Sequence, residues 1–269
     1  MGLLDGDAGI SAIVLTYNEE SKISDCLQSI GWADQIIVVD SFSTDHTVEI
    51  ARSLGAQVVQ HPFSGFASQR NFALTQGSGR WILFFDADER CTPELAAEIR
   101  AVTAGDADYD GFYLPRRNYV FGKWLKGGGH QEDKQLRLFL RSEHVTYGDK
   151  EVHEMPLGPK MVGTLEGFLI HYNYETIHQY LEKMNRYTDL EARVLRKRGL
   201  TIGWRNCLWY LMLKPVVFFL YLYVYRRGYV DGLTGLIYDL LSGYYVLVKY
   251  AKCWELGSNL SDSQAKSPD

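Results

Sequence analysis

Residues Trp81 to Arg90 read Trp-Ile-Leu-Phe-Phe-Asp-Ala-Asp-Glu-Arg, an unbroken apolar run that ends in three carboxylates. A run rich in aromatic and branched residues, without polar alternation, predicts a strand covered on both faces, as in the middle of a parallel sheet flanked by helices. Such a strand has no solvent face, so its polar end emerges at the carboxyl edge of the sheet, where open α/β sheets bind ligands. Where the chain turns at the end of the strand, Asp86 and Asp88 can converge on one point. Two convergent carboxylates suit Mg²⁺ or Mn²⁺, with phosphates and waters in the remaining positions. The alternative is a pair of solvated acids in a loop; the buried strand ahead of them favours the metal.

The chain before this strand repeats the pattern. Ile10 to Leu15 is an apolar run, followed by Thr16-Tyr17-Asn18-Glu19-Glu20 and by Ile23, Cys26, Leu27 and Ile30 at helical spacing. Ile36 to Val39 predicts a second buried strand ending in Asp40, and Ser41 to Asp45 offers hydroxyls and a carboxylate to cap the helix of Val48, Ala51 and Leu54, which Gly55 closes. Gln57 to Gln60 predicts a third strand and Phe66 to Thr75 a third helix. Strands alternating with helices in this way imply a parallel sheet with right-handed crossovers. Asn18 and Asp45 have structural alternatives as helix caps; Asp45 is read as a cap and Asp40 as functional.

After the carboxylates, Thr92-Pro93-Glu94 marks the start of a helix that runs to about Thr103. From Asp110 to His171 the pattern weakens to short strand-like pieces: Gly111 to Leu114, Leu136 to Leu140 and Gly167 to Ile170. Between them Gly127 to Asp133 is read as a flexible acidic loop of the kind that carries function. From Thr176 onward the chain reads as helical. Arg193 to Lys214 holds six basic residues and no acid, and Pro215 to Tyr225 is apolar and aromatic, ending at Arg226-Arg227. That run is shorter than the roughly 20 residues that span a bilayer, and Lys214-Pro215 is expected to interrupt any extension backward. Two readings stay open for it: a helix at a membrane interface, which the flanking basic residues favour, or a buried core helix.

The bulk numbers are those of a globular chain: 269 residues, 46% hydrophobic, 23% charged, with a formal charge of -5 that gives no reason to expect nucleic acid. Cys26, Cys91, Cys207 and Cys253 are scattered, suggesting neither a zinc site nor a disulfide framework and fitting a reducing cytosolic setting. The N-terminus carries acids and lacks a charged-then-apolar secretion signal.

Thr16-Tyr17-Asn18-Glu19, Asp40-Ser41-x-Ser43-x-Asp45 and Asp86-Ala87-Asp88, each at the end of an expected strand, resemble the motifs of family 2 glycosyltransferases with the GT-A fold. Gln69-Arg70-Asn71, Gln135-x-Arg137-Leu138-Phe139, Val152-His153-Glu154 and Asp231-Gly232-x-x-Gly235 extend the resemblance to bacterial lipopolysaccharide inner-core β-glucosyltransferases, over about Ile10 to Leu256. The resemblance implies an α/β, Rossmann-like, mostly parallel sheet in residues 1–201, a helical membrane- or acceptor-associated region in 202–256 and a disordered tail in 257–269. It implies an inverting, metal-dependent transferase that moves glucose from UDP-glucose to a lipid-linked heptose acceptor, peripherally at the cytoplasmic face of the inner membrane. Thr16, Tyr17, Asn18, Glu19, Asp40, Ser41, Gln69, Arg70, Asp86, Ala87 and Asp88 would contact the nucleotide sugar.

Asp88 is the expected direct metal ligand, with Asp86 nearer the ribose or reaching the ion through water, and His171 or His153 completing the shell. The Glu132-Asp133 pair resembles the family's general base; Asp133 is preferred, with Glu151 and Glu154 as competitors. Trp124 is either a sugar-stacking face or core. Other classes fare worse. In a haloacid-dehalogenase-type phosphatase the Asp-x-Asp usually opens the domain, a glycosidase needs no nucleotide loop, and neither a P-loop nor Gly-x-Gly-x-x-Gly is present. A nucleotide-sugar-binding membrane scaffold is the non-enzymatic alternative, and a different sugar or acceptor the enzymatic one.

Overall fold

The structure is a computed structural model that describes residues 9–105, 108–130, 133–148 and 156–265. Its contacts group the described residues into two compact units, Met1–Arg117 with Glu132–Tyr172, and Asn118–Gln131 with Asn173–Asp269.

In the first unit β1 (Ile10–Thr16), α1 (Ile23–Ser29), β2 (Gln35–Asp40), α2 (Thr47–Ser53), β3 (Gln57–Gln60), α3 (Phe66–Leu74) and β4 (Trp81–Asp86) alternate as expected. The four strands are parallel neighbours in the order β3-β2-β1-β4. Both faces are covered. Val14, Val38, Leu83 and Phe85 belong to one core cluster, with Leu95 and Ile99 of α4 (Pro93–Thr103), while Ile13, Ile37, Ile82 and Phe84 belong to another, with Ala67 and Ala73 of α3. Alternate residues of each strand thus enter opposite cores, which is why these strands carry no polar periodicity.

After β4 the chain turns into β5 (Glu89–Cys91), then α4, then β6 (Gly111–Val120), β7 (Lys123–Trp124), β8 (Lys134–Leu140), β9 (Thr146–Tyr147), β10 (Pro156–Leu157), β11 (Val162–Thr164) and β12 (Leu169–Tyr174). Here the sheet becomes mixed: β8 runs antiparallel to β4 and to β6, and β5 pairs antiparallel with β12. Thr92 caps α4 by accepting from Leu95 N–H at 3.3 Å. The strand expected to stop at Leu114 instead continues through Pro115. A register shift between Phe112 and Tyr113 leaves Pro115 opposite Lys134, an irregular pairing of the kind that admits proline in a strand.

The second unit is mainly helical: α5 (Ile177–Lys197), α6 (Lys214–Leu220) and α7 (Gly232–Ala265), with π-helical turns over Leu208–Leu213 and Tyr221–Tyr225. Thr176 caps α5 through Gln179 N–H at 3.1 Å. Ala192 of α5 shares a core with Ile202, Val246, Tyr250 and Cys253, so the contacts group α5 with the C-terminal helices, where the sequence suggests a boundary at residue 201. The expected break at Lys214-Pro215 is absent. The wide π turn ahead of Pro215 accommodates a residue with no N–H, and helical structure passes through it. The polar stretch from Gly257, expected to be a disordered tail, is helical as far as Ala265, and residues 266–269 lie outside the described residues.

The glycine-rich segment is anchored, contrary to the flexibility expected of it. Lys126 and Gly127 N–H donate to the Asp231 carboxylate at 2.7–3.0 Å, and Gly128 N–H donates to Arg226 O at 2.9 Å. A Cβ on Gly127 would lie 2.1 Å from Arg227 O, and one on Gly235 2.2 Å from Gly228 O. The Asp231-Gly232-x-x-Gly235 motif therefore has a packing role: its acid caps one loop and its last glycine admits another backbone.

Candidate active site

The parallel register brings the strand-end motifs to one edge. Thr16 pairs with Asp40, and Leu15 with Asp86, so β1, β2 and β4 deliver their polar ends side by side. Two loops cross above them and are stitched together. Asn18 Oδ1 accepts from Thr44 N–H at 2.8 Å, Asn18 N–H donates to Ser43 Oγ at 2.8 Å, and Glu19 N–H donates to Thr47 Oγ1 at 2.8 Å. Asn18 thus joins the loops and does not cap α1. Asp45 has the structural role expected of it, accepting from Thr47 N–H at 3.0 Å and Glu20 N–H at 3.1 Å.

Asp40 is fully buried, and its carboxylate accepts from Ser43 Oγ, from Ser43 N–H at 2.9 Å and from Gln60 Nε2 at 3.0 Å. It orders the loop carrying Ser41, whose hydroxyl accepts from buried Gln69 Nε2 at 3.1 Å. Asn18 and Phe42 both have left-handed backbones, at φ 54° and 61°, a conformation that costs a non-glycine residue and concentrates at functional loops. Tyr17 and Phe42 are each 52% exposed on these loops. Phe42 occupies the variable position of the second motif, so the sequence does not single it out.

At the end of β4 the three carboxylates part company. Asp86 accepts from Arg137 and, at 3.2 Å, from Arg70. Burial alone would raise its pKa, but the two guanidiniums overcome that and hold the carboxyl well below its ordinary range. Ala87 is buried in the turn. Glu89 is wholly buried and turns back. Its Oε2 accepts from Asp86 N–H at 2.9 Å, and its Oε1 lies 3.2 Å from both Arg137 and Arg116. Arg116 in turn grips Asp133, with Nε–Oδ2 at 3.0 Å and Nη2–Oδ1 at 3.1 Å. Arg70, Asp86, Arg137, Glu89, Arg116 and Asp133 therefore form one ladder of alternating charge. Burial works against the Arg137 guanidinium, yet Asp86 and Glu89 push its pKa up.

Asp88 stands apart from this ladder. Its Oδ2 is 3.6 Å from His171 Nε2, both side chains are nearly buried, and Tyr172 N–H donates to Asp88 O at 2.9 Å, fixing β12 against the turn. Adjacent ligands of one octahedral Mg²⁺ or Mn²⁺ lie about 3 Å apart, so the pair, at the distance of an ion pair, would have to close by about half an ångström to share an ion. Among the described residues no group of three or more His, Cys, Asp or Glu is gathered for a metal. The donor set fits a cation that takes its other ligands from phosphate and water. Glu132, Glu151, His153 and Glu154 lie outside the described residues. Trp124, in the second unit, has Lys126 Nζ 4.9 Å above its ring.

This edge matches a known family. The model of glycosyl transferase family 2 matches residues 11–157, which contain the loops, the Asp-x-Asp turn and the ladder. The chain belongs to glycosyl transferase family 2. It is 28% identical over 252 residues to the lipopolysaccharide core biosynthesis glycosyltransferase LpsC of Rhizobium meliloti, covering 91% of this chain and 92% of that one. It is 31% identical to an uncharacterized glycosyltransferase of Rickettsia bellii, over 92% of this chain and 86% of that one. The fold is similar to that of Staphylococcus aureus TarS 1-349 crystallised with UDP-GlcNAc, with a TM-score of 0.51, 17% identity, and coverage of 91% and 88% of the two chains. The architecture is thus the expected GT-A type with a helical C-terminal region. Within this glycosyltransferase Glu89, Arg116 and Arg137 form the middle of the ladder, and the sequence signals only the third, through Gln135-x-Arg137-Leu138-Phe139.

Proposed function

We propose that this glycosyltransferase is inverting and metal-dependent, and that it moves glucose from UDP-glucose to a heptose of a lipopolysaccharide inner-core acceptor. The observation that carries the proposal is the register that sets Thr16, Asp40 and Asp86 side by side, with Asp88 and His171 beyond them. The nucleotide lies across the two stitched loops, against Thr16 to Glu19, Ser41 and exposed Phe42; Asp40 and Gln69 shape that surface from beneath, and Arg70 and Asp86 border it. Asp88 and His171 hold Mg²⁺ or Mn²⁺, which when bound stabilises the charge that builds on the departing diphosphate. Asp133 takes the proton of the acceptor hydroxyl as its oxygen attacks the anomeric carbon opposite the leaving group, inverting the configuration there. Likeness to LpsC over nine-tenths of both chains supports the choice of acceptor.

The same proposal puts the protein at the cytoplasmic face of the inner membrane. Leu208–Tyr225 is the one helical stretch among the described residues long and apolar enough to cross a membrane by length and composition, and only 6% of it is buried. That low burial supports the interface reading over a core helix. Leu208, Met212, Val216, Leu220 and Val224 are all exposed, and Arg226 and Arg227 follow, which suits a helix lying on an anionic surface. Incubation with UDP-glucose, Mn²⁺ and heptose-terminated inner-core acceptor should yield one added β-linked hexose by mass spectrometry and NMR. Nucleotide-sugar binding without transfer to any glycolipid would favour the scaffold alternative.

A further inference from the structure

We infer that Arg116 is a positioning residue for transfer: fixed by Glu89, it sets the direction of the Asp133 carboxylate and holds it in register with the Asp-x-Asp turn. This rests on Asp133 being the base, as proposed above. The contact is two-pronged, which fixes a carboxylate's plane as well as its place. It is reinforced by the backbone, where Arg116 N–H donates to Asp133 O at 2.8 Å, and by Gln135 Nε2, which donates to Asp133 Oδ1 at 3.1 Å.

The third guanidinium nitrogen, Nη1, reaches Glu89 at 3.2 Å, and Glu89 is 0% exposed. Glu89 also accepts from Asp86 N–H and from Arg137, which pairs with Asp86. The donor-side turn and the acceptor-side carboxylate are therefore joined by an unbroken series of charged hydrogen bonds through Arg137, Glu89 and Arg116. In-line displacement needs such a joint, because the base and the leaving group must stand at a set separation on opposite sides of the anomeric carbon, and a misplacement of about 1 Å costs on the order of 100-fold in rate.

The test compares Arg116→Lys, Arg116→Gln, Asp133→Asn and the Gln/Asn double variant in the full chain. It reads kcat for transfer, Kd for UDP-glucose with Mn²⁺ by calorimetry, and thermal unfolding. Arg116→Lys keeps the charge beside Glu89 but loses the fork; kcat should fall about 10- to 100-fold while the donor Kd stays within about twofold. Because Arg116 acts through Asp133, adding Arg116→Gln to Asp133→Asn should cost nothing further. Wild-type kcat in Arg116→Lys, or effects that multiply in the double variant, would overturn the inference. Should Arg116→Gln not fold, Glu89→Gln gives the second reading: a several-fold loss of kcat at constant donor Kd is expected, and an unchanged kcat counts against the role. Full activity in Asp133→Asn would instead remove the base assignment, and this inference with it.

Discussion

Asp88 Oδ2 and His171 Nε2 stand 3.6 Å apart, held there by the pairing of His171 with Glu89 across β5 and β12 and by Tyr172 N–H on Asp88 O. The two lie more than eighty residues apart in sequence, one in the Asp-x-Asp turn and one in the middle of β12. If they share a cation, His171→Ala should raise the Mn²⁺ concentration for half-maximal transfer about tenfold or more while leaving the far-UV spectrum unchanged. An unaltered Mn²⁺ dependence would remove His171 from the metal site.

Glu89 is the hub of the buried charge network, and its substitutions separate charge from shape. Glu89→Ala leaves Arg116 and Arg137 facing each other without the carboxylate between them, and a buried pair broken on one side costs about 3–5 kcal/mol. Urea unfolding should show that loss in Glu89→Ala and a smaller one in Glu89→Gln. Equal stabilities for wild type and Glu89→Ala would mean that the carboxylate is energetically idle.

Much of this was legible in the sequence where one force dominates. Ile10 to Leu15, Ile36 to Val39 and Trp81 to Phe85 read as doubly covered strands because alternate residues enter two cores, leaving no polar position to confuse the pattern. The helices expected from Thr92 and from Thr176 begin there, each capped by that threonine. The ladder was harder to see. Glu89 and Arg116 are ordinary charged residues in sequence, and only the antiparallel pairings of β5 with β12 and of β6 with β8 bring them inside the protein. Pro215 misled because a proline normally ends a helix, and nothing local signals that a π turn will precede it.

Asp239 provides a pH test in the second unit. Burial, with Asp231 beside it, pushes its pKa up to about 7 from 3.8, and among the described residues its Oδ2 has no hydrogen-bond partner. The folded state therefore binds this proton more tightly than the unfolded chain. The stabilisation is fully present below about pH 4 and is lost as pH rises through 7, a range of about 4 kcal/mol. Asp239→Asn should flatten that part of the profile and be more stable than wild type at pH 8. If the two proteins differ by the same amount at pH 5 and pH 8, the carboxyl does not titrate as described.

Close packing makes Gly228 and Gly235 of the second unit intolerant. A Cβ at Gly228 would sit 1.8 Å from Asp239 Oδ2, and at Gly235 2.2 Å from Gly228 O. Gly235→Ala meets backbone, which cannot swing aside, and should cost at least about 2–3 kcal/mol or abolish soluble expression. Gly105→Ala, with nothing within 4 Å of its Cβ, is the control and should express normally. A fully stable Gly235→Ala protein would contradict the packing of this turn.

The measurement that bears most directly on the proposed donor site is calorimetric titration with a panel of nucleotide sugars, with and without Mn²⁺, on the wild type and Asp88→Ala. Binding of UDP-glucose that needs Mn²⁺ and disappears in a folded Asp88→Ala protein is the predicted result. Failure of every nucleotide sugar to bind, or binding indifferent to both Mn²⁺ and Asp88, would contradict a metal-assisted donor site at the end of β4.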